Sequence, residues 1–418
     1  MKAPKILLLI VLSGFFTANF AFAQAWTQTS APTTNWLSIA CSADGMKLAA
    51  VVYIPPDARL APASPIYVST NSGTTWTPTG PFWIPIGPFP ENSNWGNIAS
   101  SADGAKLVVS STFGPLYTSA DSGITWTATG PPSGDPWYDF AVIYWAGVAS
   151  SADGKELVAA VFFDNTSIYI STNSGSTWTA TTASTTGQGW SSVASSADGR
   201  QIAATTFFDT IYISTNSGTD WSATTAPAAI WSSIASSSDG KKLVATAYNN
   251  GEYGAYPGSI YTSADSGSSW IITSAPSNSW QAVASSADGN ILVAAVWGGL
   301  IYTSTNSGSS WNAADAPSTN WQFVACSSDG SKLFAGVEGG GIWTAQTMPG
   351  PSLNLVPTNS NLALSWLVPS TSFVLQQSTD LSSWSDVTNQ PVLNLTNLQN
   401  EVTLPFSGSE GFYRLKTP

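Results

Sequence analysis

Histidine is missing from this 418-residue chain, and charge is scarce: 12 Lys+Arg and 24 Asp+Glu, only 9% of all residues. Without histidine the chain lacks the commonest metal ligand and the commonest general base at neutral pH. The usual serine-hydrolase triad and the usual zinc sites are excluded with it. A net charge of −12 offers no basic patch for nucleic acid or for an anionic membrane surface. There are only two cysteines, too few for a zinc site and without a base to make either a nucleophile. No metal, cofactor or nucleic-acid partner is expected.

Long apolar runs are also lacking. Ile6 to Leu12 is too short to span a bilayer, and the residues after it are interrupted by Ser13, Gly14, Thr17 and Asn19. Lys2 and Lys5 precede this run and Ala21-Phe22-Ala23 lies beyond it, which is the pattern of a secretory signal over residues 1–23, cleaved near Ala23. The expected product is exported, whether secreted, periplasmic or at the cell surface, and has no membrane span. Such a compartment permits disulfides.

What the chain does have is aromatic residues, with 20 Trp, 13 Tyr and 17 Phe, and a repeat. Seven segments begin at Trp36, Trp95, Trp145, Trp190, Trp231, Trp280 and Trp321, at spacings of 59, 50, 45, 41, 49 and 41 residues. Each runs through a short apolar stretch into an Asp-Gly turn, from Asp44-Gly45 to Asp329-Gly330, and then into a second apolar run such as Leu157 to Val161. Short Val/Ile-rich runs bounded by turn residues are strands buried on both faces. Six units add Ser-x-Asn/Asp-Ser-Gly-x-x-Trp, as in Ser69 to Trp76 and Ser214 to Trp221. In that turn the Asn or Asp side chain accepts backbone N–H groups, and Gly supplies the left-handed residue.

This second motif closely resembles the Asp-box, or BNR, repeat of sialidases, sortilin-type receptors, xyloglucanases and photosystem assembly factors. The resemblance covers nearly all of residues 24–346. Each unit reads as strand A, the Asp-Gly turn, strand B, a loop, strand C, the Asp-box turn and strand D. Units of this length with four antiparallel strands are propeller blades. The seventh unit stops after Gly341-Ile342-Trp343-Thr344, and Ala25 to Pro32 matches the missing tail of a box. The expected fold is therefore all-β: a seven-bladed β-propeller closed by N-terminal strand exchange. A linker at 347–351 leads to residues 352–418, which alternate apolar and polar as in Leu362 to Trp366. They read as a small β-sandwich resembling fibronectin type III modules, suited to attachment or spacing.

Repetition separates structural residues from candidates. The seven strand-A tryptophans either pack between elements or ring one mouth of the channel, where they would stack on ligands. The A–B and C–D turns hardly vary in length, so their face is plain. Extra residues fall at Ile54–Pro65, Thr79–Asn94, Gly130–Tyr144 and Asn249–Gly258, all on the opposite face. These insertions carry Trp83, Phe89, Glu91, Asp135, Trp137, Tyr138, Asp139, Glu252, Tyr253 and Tyr256. Aromatic planes with a few carboxylates suit carbohydrate, since rings stack on sugar C–H faces and carboxylates accept hydroxyl hydrogen bonds; the expected ligand of this face is a glycan or a protein. The same rings also serve to anchor Pro-rich loops.

Sialidases hold the substrate carboxylate with three arginines, but this chain has only Arg59, Arg200 and Arg414. Arg414 lies in the C-terminal segment and Arg200 comes directly after an Asp-Gly turn on the plain face, so no cluster forms. The reading is a monomeric, non-catalytic binding or scaffold protein. The alternative is a glycosidase drawing a carboxylate pair from Glu91, Asp135, Asp139 and Glu252. Cys41 and Cys326 occupy one strand-A position in units one and seven, which become neighbours when the ring closes. A disulfide across the seam is expected.

Overall fold

The computed structural model describes residues 26–53, 65–80, 95–112, 114–131, 143–162, 167–183, 189–248, 258–346, 353–357, 361–367, 374–379, 383–394, 399–405 and 412–416. Every regular element among them is a strand. The seven A strands are Trp36–Cys41, Trp95–Ser100, Trp145–Ser150, Trp190–Ser195, Ala229–Ser236, Trp280–Ser285 and Trp321–Cys326. Each is the inner edge of a four-stranded antiparallel blade. In blade 1 it is followed outward by Leu48–Val52, Ile66–Ser69 and Thr77–Thr79. In blade 7 the outermost strand is Thr27–Gln28 from the chain start, with Thr27 opposite Thr344 and Gln28 opposite Trp343. The ring closes by N-terminal strand exchange.

Seven backbone hydrogen bonds make the closure continuous. The residue two past each A strand donates its N–H to its counterpart on the next blade: Ala43 to Ala102, Ala102 to Ala152, Ala152 to Ala197, Ala197 to Ser238, Ser238 to Ala287, Ala287 to Ser328 and Ser328 back to Ala43, at 2.7–2.8 Å. Each blade satisfies one donor and one acceptor of its neighbours, so no blade end is left over.

The strand-A tryptophans are all buried, at 0–4% exposure. Each meets the aromatic of its own strand C: Tyr67, Tyr117, Tyr169, Tyr212, Tyr261, Tyr302 or Trp343, edge-on with ring centroids 5.2–6.2 Å apart. They pack between elements; Trp145 and Trp231 border the axial cup but at 4% and 0% exposure present no open ring face for stacking. Trp26 fills the box-tryptophan position of blade 7, 6.2 Å from Trp321.

The polar residues of both turns are consumed locally. In each Asp-Gly turn the aspartate accepts from a backbone N–H and from the serine two residues earlier, as Asp198 does from Arg200 N and Ser196 Oγ. In the box, Ser214 Oγ accepts from Gly218 N at 2.9 Å, and Asn216 Oδ1 accepts from Asp220 N at 2.9 Å. The left-handed conformation extends further than expected: the serine before each box glycine also has positive φ, 56–59° in all six. A non-glycine residue holds that conformation only when its surroundings over-determine it. The cause is a tether, since each of these serines donates its N–H to the Asp-Gly turn of its own blade, as Ser217 does to the Arg200 carbonyl.

Blades 4 and 5 depart from the pattern. Strand B of blade 4 runs on to Asp209, past a bulge at Phe208 with φ +63°, and pairs Phe207 with Ile230 and Asp209 with Ala229 of blade 5. The two blades thus share a continuous sheet.

Residues 354–416 form two further sheets. One is ordered Asn354–Pro357, Asn361–Leu367, Gln399–Pro405, Val392–Asn394, and the other Ser385–Asp386, Val374–Ser378, Phe412–Lys416. Leu364, Trp366, Val402 and Leu404 from the first share a core with Leu375 from the second.

Candidate functional site

The blade arrangement leaves a channel along the ring axis, with different ends. At the Asp-Gly end lies a cavity of about 170 Å³. There the last strand-A residues form a ring of Ser100, Ser150, Ser195, Ser236 and Ser285 with Cys41 and Cys326. The serine hydroxyls donate to the carbonyl of the next residue, as Ser100 Oγ does to Ser101 O at 2.9 Å. Cys326 does the same with Ser327 O, and Cys41 Sγ–H donates across the seam to Cys326 O at 3.2 Å. The structure places the two cysteines on neighbouring blades at the seam, both carried as thiols. Only Cys326 follows the serine pattern; Cys41 points at the Cys326 carbonyl instead. Burial pushes the Cys41 thiol up to about 12, with Asp44 adding to the shift, and raises Cys326 well above its ordinary range.

The other end opens into a cup of about 640 Å³, within the roughly 300–1,000 Å³ span of ligand-sized clefts. None of its described lining residues is charged. The fourth residue of every A strand lines it, always Ile or Val, from Ile39 to Val324. This is also the end where the A strands begin and the B strands finish, so the inserted segments leave from it. Trp83, Phe89, Glu91, Asp135, Trp137, Tyr138, Asp139, Glu252, Tyr253 and Tyr256 themselves lie outside the described residues.

The described rim has an aromatic ring that the sequence reading missed. The residue after the one paired with the strand-A tryptophan is Tyr53, Thr112, Phe162, Phe207, Tyr248, Trp297 and Glu338 around the seven blades, aromatic in five. In six of them the backbone N–H donates to the carbonyl just before or at the start of its own strand A, as Phe162 N does to Tyr144 O at 2.8 Å and Tyr248 N to Ile230 O at 2.7 Å. The backbone position is therefore fixed by the blade, and on blades 2 to 5 its residue, Thr112, Phe162, Phe207 or Tyr248, lines the cup. On blades 3 and 4 the rings join: Tyr144 lies 5.1 Å from Phe162, and Phe162 lies 5.0 Å from Phe207 at 86°. Phe162, Phe207, Tyr144 and Tyr248 all line the cup. The signal was available in the sequence: one register position, counted from each Asp-Gly turn, is aromatic in most units.

The cup wall also exposes main chain. Strand A is an edge strand, and the alternation of the antiparallel ladder turns the N–H of the residue three past its tryptophan away from strand B. In three blades the third residue of the preceding blade is a serine that accepts it: Ser38 from Ile98 N, Ser192 from Ile234 N and Ser233 from Val283 N, at 3.3–3.4 Å. Elsewhere the third residue is Asn97, Gly147, Ala282 or Phe323.

No family model matches this chain, and no curated protein does. Among solved structures it is similar to YCF48 from Cyanidioschyzon merolae, with a TM-score of 0.55 and 16% identity over 77% of this chain and 98% of that one. It is also similar to YCF48 bound to D1 peptide, with a TM-score of 0.53 and 14% identity over 78% and 97% of the two chains. The shared property is the fold. Nearly the whole of each YCF48 chain is covered, so both propellers are matched as complete rings.

Proposed function

We propose that this protein is an exported, monomeric, non-catalytic propeller that holds an uncharged, extended segment of a partner protein in the cup on its loop-bearing face. The observation that carries the reading is the aromatic wall of the cup: Tyr144, Phe162, Phe207 and Tyr248 line it, and none of its described lining residues is charged. Rings fixed at a cavity mouth supply large apolar contact at small entropic cost. The similar fold of YCF48 bound to D1 peptide supports the reading, since a propeller of this kind accommodates a peptide. The sandwich-like C-terminal strands, Asn354 to Lys416, serve as an attachment or spacing module in this account.

The enzyme alternative draws on different residues. A glycosidase needs two carboxylates at a set separation, and the described cup supplies none. Its candidates are Glu91, Asp135, Asp139 and Glu252 of the inserted segments, with a glycan as the ligand.

The test is a peptide array and a glycan array probed with the exported chain and with a Phe162→Ala/Phe207→Ala/Tyr248→Ala variant of matched fold by circular dichroism. Peptide binding weakened at least tenfold in the variant supports the proposal. Equal binding by both proteins removes the rim from the account, and binding to glycans alone replaces the peptide with a sugar.

A further inference from the structure

The blade 3–4 sector of the cup combines two features. The first is the aromatic wall of Tyr144, Phe162 and Phe207. The second is an open main-chain donor at Val193. Antiparallel ladders alternate between bonded and non-bonded pairs. The bond from Ser196 N to Gln201 O sets the phase, so Val193, opposite Ala204, turns both N–H and C=O away from strand B and into the channel. In the equivalent place on blades 2, 5 and 6 a serine from the preceding blade accepts that N–H. Here the residue is Gly147, which has no side chain to offer. A Cβ built on Gly147 lies 3.4 Å from Val193 N, so the missing hydroxyl is what would reach it.

From this geometry we infer that Gly147 keeps the Val193 edge open for ligand. The sector is a subsite for an extended peptide: main chain pairs with Val193 N–H and C=O, and a neighbouring apolar or aromatic side chain packs on Phe162 and Phe207. The inference rests on the peptide reading above and names its contact. A donor and an acceptor on one edge residue match a peptide group, which carries both; this is strand addition at a sheet edge. The absence of charge from the described wall favours a segment without Lys, Arg, Asp or Glu at the inserted residues.

The experiment is a single plugging substitution. Gly147→Ser restores the serine of the sister blades. Gly147 has ordinary φ, and its nearest contacts at the new Cβ are 3.4–3.6 Å, so the fold accepts it. Ala282→Ser is the control, plugging the equivalent site before Val324 and away from the aromatic wall. The probe is a library of capped nine-residue peptides with each apolar residue at the centre of a Gly/Ser background, titrated by fluorescence polarisation against the full chain. Gly147→Ser should weaken the best peptide about tenfold or more, with Ala282→Ser within about twofold. An unchanged affinity in Gly147→Ser, with peptide still bound, overturns the subsite and leaves the peptide reading standing. No binding by any peptide overturns both. Should Gly147→Ser misfold, residue-resolved hydrogen exchange on the unaltered chain decides: saturating peptide should slow exchange at Val193 and leave Ile234, already held by Ser192, unchanged. No change at Val193 overturns the inference.

Discussion

The N–H of Ser328, on the last blade, donates to the carbonyl of Ala43, on the first, at 2.8 Å, and this bond is the seventh in a ring of seven. At the other end of the last blade's strand A, Trp26 from the chain start packs on Trp321, so the seam is held both by the inner ring and by the borrowed outer strand. Trp26 is 6% exposed. Trp26→Ala should cost about 3–5 kcal/mol, the usual range for a buried tryptophan, read from urea denaturation. A loss below about 1 kcal/mol would mean that the outer strand does not hold the ring.

The boxes predict an acid response. Hydrogen bonds from Thr125, from its hydroxyl and then its N–H, hold the Asp121 carboxyl down at about 2, and Ser269 lowers Asp265 in the same way. A carboxyl with a depressed folded-state value stabilises the fold above its unfolded value and loses that contribution as pH falls through the folded one. For Asp121 the window runs from about pH 4 to pH 2. The other four boxes carry Asn at this position, as in Asn71 and Asn173. Asp121→Asn/Asp265→Asn should fold normally at pH 7 and unfold at lower pH than the parent in an acid titration followed by tryptophan fluorescence. An identical acid midpoint would refute the assignment.

Lys332 is buried at 3% exposure, with its ammonium 2.6 Å from Ser72 Oγ across the seam. Desolvation lowers its pKa, so its charge is held at a cost, and blade 6 has Ile291 at the same position. Lys332→Met, which keeps the stem volume, should leave the melting temperature unchanged or raise it. Lys332→Ala, which removes the packed stem, should lower stability by about 2 kcal/mol. A large loss in the Met variant would show that the charge itself is needed.

For the cysteine pair, the raised thiol values mean little thiolate and slow oxidation once the ring has closed. A seam bridge therefore has to form during folding in an oxidising compartment. Protein exported through such a compartment, denatured without reductant, should give no free thiol on titration and a monomeric mass. Two thiols per chain would show that the reduced pair is the mature state.

The blade count, the borrowed strand and the two turn types were legible because each is written as a repeated residue pattern: Trp36 to Trp321, Asp44-Gly45 to Asp329-Gly330, and Ala25 to Pro32 as a displaced box tail. The left-handed serines were not legible, because serine has no preference for that conformation and the tether imposing it comes from another turn. Nor was the run of blade 4 into blade 5, where one bulge at Phe208 redirects an ordinary-looking strand. The aromatic rim was not read, because the position unites Tyr, Phe and Trp, so identity alone hides what register reveals. Val193 owes its open N–H to a glycine on the preceding blade, a relationship no single-blade pattern contains.

The central claim is that a partner segment enters the cup from the loop-bearing face, and photo-crosslinking from two positions tests it most directly. A benzophenone amino acid replaces Tyr248 at the cup rim in one protein, and Ile124, 76% exposed in an Asp-box turn, in another. With the best library peptide bound, the account predicts a crosslink from position 248 and none from position 124. A crosslink from 124 with none from 248 would put the partner on the opposite face and contradict the account.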